Sequence, residues 1–133
     1  FSGTLTYSKR FNGSIKLYAG EPRNADDANR SLRDGVLYPS VNPNTIADGL
    51  RTSLSPLTFA IVQKYADGIF TVSEEQIVEA MRLVWERMKI IIEPSSAVPV
   101  AALMANRGQF AGQRVGIIIS GGNVELGNLP FAH

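Results

Sequence analysis

Apolar and polar positions divide this chain into segments of two periods. Ile77, Ala80, Met81, Val84 and Met88 recur at helical spacing, while Glu75, Glu79, Arg82, Glu86 and Lys89 fall on the other side. That pattern predicts an amphipathic helix with a solvated charged face. Its start is marked by Ser73-Glu74-Glu75-Gln76, a capping box in which Ser73 accepts from the Gln76 N–H and Gln76 reaches back. Ser14 to Ala19 alternates and predicts a strand, with Gly20 to Asn24 as the loop at its C-terminal end. Ile69 to Val72, after the Asp67-Gly68 turn, predicts a second. Val115 to Ile119 is apolar throughout apart from Gly116 and stops at Ser120-Gly121-Gly122-Asn123, the pattern of a strand buried on both faces.

Between these lie the other helices. Thr4 to Phe11 reads as the end of a helix closed by Asn12-Gly13. Ala25 to Arg33 predicts a short helix with Asp26 and Asp27 in its first turn and Gly35 just beyond its end. Tyr38 to Asp48 is an irregular loop. Ser55-Pro56 opens a helix to about Tyr65, with proline at the first helical position. Pro94 to Ser96 reads as a turn, and Val98 to Asn106 as a small-residue helix ended by Arg107-Gly108. Strands alternating with helices predict an α/β fold with a parallel sheet. Only about three strands are visible, and three strands with four helices would leave much apolar surface unpaired, so the chain is expected to be part of a larger domain. A start at Phe1, without Met or a helix-start signal, points the same way.

Composition narrows the function classes. The 133 residues are 44% hydrophobic and 19% charged, with net charge +1, ordinary for one soluble domain and giving no sign of a nucleic-acid or membrane partner. No cysteine is present, which removes disulfides, thiolate metal sites and cysteine nucleophiles and points to an intracellular protein. The single histidine, His133, is the last residue, so a Ser-His-Asp triad and a histidine metal site are not expected. Lys9, Lys16, Lys64 and Lys89 sit on amphipathic faces or strand edges, without the glycine-rich surroundings of a cofactor-bonding lysine.

Three places carry candidate chemistry. Glu21 and Asp27, with Asp26 beside the second, flank a loop; carboxylates with a backbone carbonyl suit a hard cation, although these residues taken alone favour helix capping by Asp26 and Asp27. Glu93 ends the apolar Ile90 to Ile92 and needs a partner, such as nearby backbone N–H groups. Ser120, at the end of an apolar strand and before two glycines that permit close backbone approach, marks either a cofactor seat or a glycine turn.

Glu21-Pro22-Arg23-Asn24-Ala25-Asp26-Asp27, Thr45-Ile46-Ala47-Asp48-Gly49-Leu50 and Ser120-Gly121-Gly122-Asn123-Val124 occur in this order, with Trp85-Glu86-Arg87-Met88-Lys89 and Ile92-Glu93-Pro94 between them. The set closely resembles the serine racemase and serine/threonine dehydratase family, pyridoxal-phosphate (PLP) enzymes of the tryptophan-synthase-like fold, over nearly the whole chain. The resemblance implies that residues 1–133 form the C-terminal part of the PLP-binding large domain of a fold type II enzyme. The Schiff-base lysine and the glycine-rich phosphate loop then belong to a preceding part, and no catalytic residue lies in this chain. It further implies elimination of water from serine, threonine or 3-hydroxyaspartate to a 2-oxo acid and ammonia, serine racemisation, or both, in a cytoplasmic homodimer.

By the same resemblance Ser120 hydrogen-bonds the pyridine nitrogen of PLP and Gly49 lines the cofactor pocket. Glu21, the Ala25 carbonyl and Asp27 hold Mg²⁺ (or Mn²⁺ or Ca²⁺). Lys89 and Asn123 match positions that contact a nucleotide such as ATP in some animal racemases. The sequence ends soon after Asn123, so no C-terminal regulatory domain is expected, which points to the catabolic or racemase-like branch. Ser96 departs from the pattern, since many members carry glycine or alanine there. The alternative is a non-catalytic cation-binding fragment or an interaction module derived from such an enzyme.

Overall fold

A computed structural model describes residues 1–131; His133 lies outside them. Helix α1 (Ser2–Phe11) begins two residues earlier than predicted and ends at Asn12. Strands β1 (Tyr18–Pro22) and β2 (Gly68–Val72) form a two-stranded parallel sheet, with Tyr18 opposite Gly68 and Pro22 opposite Val72. Helices α2 (Asp27–Asp34) and α3 (Pro56–Tyr65) make the crossover that parallel pairing requires. Helix α4 (Glu74–Leu83) follows β2, and α5 (Pro94–Ala105) packs on α4 and on both strands.

The first strand sits further along than the alternation of Ser14 to Ala19 implies, and it takes in Gly20-Glu21-Pro22, read above as loop. The ladder starts only where β2 begins to face it. Just before that point Asp67 uses both its backbone and its side chain on Leu17: the Asp67 N–H donates to the Leu17 carbonyl and the Leu17 N–H to Asp67 Oδ2, each at 2.8 Å. Lys9 and Lys16 close on the same carboxylate at 3.1 and 3.0 Å. Ser14 and Ile15 are held by Asn12, and Lys16 and Leu17 by Asp67, in place of a strand ladder.

Alternation along β1 sets the two faces of the sheet. Gly20 faces α5, where a Cβ would come within 3.0 Å of Val98 and 3.2 Å of Ala102. Only glycine against this small-residue helix allows so close a packing. Tyr18, on the same face, joins Phe70 and Phe110 in an aromatic cluster with centroids 5.3 to 5.9 Å apart. Glu21 turns to the opposite face, toward the start of α2. The core joins Val72, Ile77, Ala80, Met81, Val84, Ile92, Ala97, Val98, Ala101 and Ala102, with Ala47 from the long loop.

Three further expectations need correction. Pro94 to Ser96 is not a turn but the first turn of α5: Pro94 takes the first helical position, where its missing N–H costs nothing. Met88 leaves the buried face and is 60% exposed, because α4 widens into a π-helical turn over Val84–Met88 that shifts the helical phase before ending on Lys89 at φ 59°. Val115 to Ile119 makes no strand pairing, and Val115, Ile118 and Ile119 are 44%, 63% and 40% exposed. An apolar run does not say what packs on it, and among the described residues only Ile117 of this run is half-buried. Among the described residues no helix is long and apolar enough to cross a membrane.

Candidate functional site

Two loops converge on the first turn of α5. The Gly49 N–H donates to Ser95 Oγ at 3.1 Å. The next residue, Ser96, is fully buried and meets Ser120-Gly121: its Oγ accepts from the Gly121 N–H at 2.7 Å, donates to the Gly121 carbonyl at 2.8 Å and lies 3.2 Å from Ser120 Oγ. Consecutive hydroxyls of one helical turn therefore bring together Gly49 and Ser120, the two residues expected at the cofactor. Both are exposed.

Each loop has local reasons for its shape. In residues 45–51 the buried Thr45 accepts the Ala47 N–H on its hydroxyl at 3.1 Å, and Arg51 Nε donates to the Thr45 carbonyl at 3.0 Å. The Ile46 N–H donates to Glu74 Oε2 at 2.8 Å, tying the loop to the first residue of α4. At residues 120–123, Glu93 is the organiser. Its N–H donates to the Gly121 carbonyl at 3.1 Å, and its carboxylate accepts the Asn123 N–H at 3.0 Å. This is the backbone partner anticipated for Glu93. A Cβ on Gly121 would meet that carboxylate at 2.8 Å, and one on Gly122 the Ile91 carbonyl at 2.7 Å. The close approach that these glycines permit is to residues 91–93.

The acidic loop lies on the opposite face of the sheet. Glu21, near the C-terminal end of β1, accepts the Ala28 N–H at 3.1 Å and the Asn29 N–H at 2.8 Å. These are free donors of the first turn of α2. Glu21 is therefore the cap, a role assigned above to Asp26 and Asp27. Asp26 instead pairs with Arg30 at 2.8 Å. Asp27 is 1% exposed, and neither of its oxygens has a hydrogen-bond partner. Burial raises its carboxyl above the usual range and drives Glu21 up to about 7, against the two backbone N–H bonds that favour the anion.

Two buried carboxylates, one with both oxygens unsatisfied, fit a hard cation, which would supply the missing charge; the buried Ala25 stands between them in sequence. Among the described residues no group of three His, Asp or Glu side chains gathers to hold a metal, so such a site needs a backbone carbonyl and water. Lys89 and Asn123 are both exposed, and no hydrogen bond joins them.

Ser95, Ser96 and Glu74 were missed as site residues. The signal for the two serines was Glu-Pro-Ser-Ser: a proline at the first helical position places the next residues in a helix N-terminal turn.

The sequence profile of the family described as pyridoxal-phosphate dependent enzyme matches residues 1–121. The chain is 49% identical to a serine racemase of Dictyostelium discoideum over 132 residues, covering 96% of this chain and 41% of that protein. It is 43% identical to a beta-hydroxyaspartate dehydratase of Paracoccus denitrificans (strain Pd 1222) over 130 residues, covering 98% and 41%. The crystal structure of the Dictyostelium discoideum serine racemase superposes with a TM-score of 0.87 at 50% identity, over 94% of this chain and 40% of that one. That of a T.th. threonine deaminase gives 0.87 at 40% identity, over 93% and 46%. The chain thus spans about two fifths of the length of the curated relatives it matches. The α/β fold with its parallel sheet is that of fold type II PLP enzymes.

Proposed function

Because the chain belongs to the pyridoxal-phosphate dependent enzyme family, we propose that it is the C-terminal part of the large domain of a dehydratase or racemase acting on small hydroxy amino acids. Water is eliminated from serine, threonine or 3-hydroxyaspartate to leave a 2-oxo acid and ammonia, or the Cα configuration of serine is inverted. The observation that carries this reading is the convergence of Gly49 and Ser120 on Ser95 and Ser96. When bound, pyridoxal phosphate supplies an electron sink for charge developing at the substrate Cα.

The residues of this chain hold and tune rather than react. Ser120 presents a hydroxyl to the ring nitrogen. A neutral hydroxyl holds that nitrogen protonated less firmly than a carboxylate would, which suits removal of the Cα proton followed by prompt loss of a β-hydroxyl. Gly49, without a side chain, leaves room for the ring beside the loop that Thr45 and Arg51 brace. Glu21, Asp27 and the Ala25 carbonyl hold Mg²⁺ or a similar cation, which orders the connection between β1 and α2. The match of Lys89 and Asn123 to a nucleotide site rests on the family resemblance alone.

The test is a substrate panel. The full-length enzyme, supplied with PLP, should release 2-oxo acid from at least one of the three substrates or invert serine, and EDTA should lower the rate. Neither product from any of them would overturn the reading.

A further inference from the structure

Four buried side-chain oxygens among the described residues have no hydrogen-bond partner, and three of them are Asp27 Oδ1, Asp27 Oδ2 and Ser40 Oγ. A buried polar group left unpaired costs free energy, so two residues with that fault at one place call for a common partner. Residues 38–40 are pinned where they bring the two together. The Tyr38 N–H donates to Ser31 Oγ at 2.9 Å, and the buried Ser31 donates in turn to the Asp27 carbonyl at 2.6 Å. The Arg30 guanidinium lies over the Tyr38 ring, 5.2 Å from its centroid. The Ser40 N–H donates to Ser53 Oγ at 2.9 Å. Burial raises the Asp27 carboxyl, and the Ser40 hydroxyl is near enough to work against that rise, yet makes no hydrogen bond with it. A hydroxyl beside a carboxylate ordinarily donates to it. Buried oxygens held near one another without bonding are what a single hard cation collects around itself.

We propose that Ser40 is a further residue of the cation site, its hydroxyl oxygen joining Glu21, Asp27 and the Ala25 carbonyl in the shell around the ion. This rests on the cation reading above and deepens it. Mg²⁺ and similar ions take about six oxygens or more, which leaves places beyond those three residues. A neutral hydroxyl fills one without adding charge where two buried carboxylates already stand together. Its oxygen is a hard donor, matched to Mg²⁺ or Mn²⁺ rather than to a soft metal. Ser53 follows Gly49 by four residues, so the hydrogen bond from Ser40 also ties the surroundings of the cation to the loop expected at the cofactor.

The experiment titrates Mn²⁺ into the full-length enzyme and follows the free ion by electron paramagnetic resonance, in the parent, Ser40→Ala and Ser40→Cys. Ser40→Ala should raise the dissociation constant about tenfold. Ser40→Cys exchanges a hard oxygen for a soft sulfur, so Cd²⁺ should displace Mn²⁺ from it at a lower ratio than from the parent. A merely structural serine would not change that preference, and the measurement stands even where the alanine variant does not fold. Parent affinity for Mn²⁺ in folded Ser40→Ala, or an unchanged preference between Cd²⁺ and Mn²⁺ in Ser40→Cys, overturns the role of Ser40 alone. A folded parent that binds no Mn²⁺ overturns the cation reading itself, and the role of Ser40 with it.

Discussion

The Gly49 N–H and Ser95 Oγ are 3.1 Å apart across 46 residues of sequence, and this hydrogen bond fastens the Gly49 loop to the first turn of α5. The same N–H also reaches its neighbour Asp48 Oδ1 at 2.8 Å, so the contact with Ser95 is a shared one. Ser95→Ala should therefore cost little global stability, about 0.5–1 kcal/mol in urea unfolding. It should accelerate amide exchange at Gly49 while leaving the core amides of α5 unchanged. Unaltered exchange at Gly49 would show that the loop is held by its own turn.

The two glycines after Ser120 predict an order of damage. A Cβ at Gly122 would strike a backbone carbonyl, that of Ile91, whereas one at Gly121 would strike the end of the Glu93 side chain. Backbone yields less than a side-chain tip. Gly122→Ala should destabilise by about 1–3 kcal/mol, and Gly121→Ala by less, read from denaturation midpoints. The reverse order would mean that residues 91–93 do not lie against this turn.

Asp67 predicts an acid limb. Burial alone would raise its carboxyl, but the Leu17 N–H, Lys16 and Lys9 together outweigh burial and hold it at about 2, against 3.8 ordinarily. Between those values the unfolded chain binds the proton and the folded chain does not. The stabilisation is therefore present above pH 3.8 and lost as pH falls through 2. Solvent screening at a site that Lys16 shares from the surface limits it to about 1 kcal/mol. Asp67→Asn should flatten the stability profile in that acid window, measured by urea unfolding from about pH 2 to 5. A profile identical to the parent's would exclude Asp67 as its source.

Glu21 and Asp27 predict a cation response. Mg²⁺ should raise the melting temperature of the parent. Glu21→Ala or Asp27→Ala should weaken that rise. Because burial pushes both carboxyls toward the protonated form, the cation competes with protons and its apparent affinity should increase with pH. Equal responses to Mg²⁺ in parent and variants would place the cation elsewhere.

What was legible in the sequence was local. The capping box of Ser73 and Gln76 forms as read, because both partners lie within one turn. Gly35 closes α2 in the left-handed conformation at φ 70°, for the same reason. Glu21 as the cap of α2 was not legible, since it reaches donors seven and eight residues ahead from a different element. The clasp of Ser96 on Gly121 spans 25 residues and depends on how α5 meets the chain after Ile119. Val115 to Ile119 was read as a strand buried on both faces, yet it is unpaired and largely exposed, because an apolar run carries no record of what covers it.

The central claim is that Ser120, presented by the first turn of α5, meets the ring of PLP. Equilibrium dialysis of PLP against full-length parent and Ser120→Ala tests it most directly. Loss of one hydrogen bond, about 1 kcal/mol, should weaken binding roughly fivefold while the folded fraction stays unchanged. Equal affinity in the two proteins would contradict it.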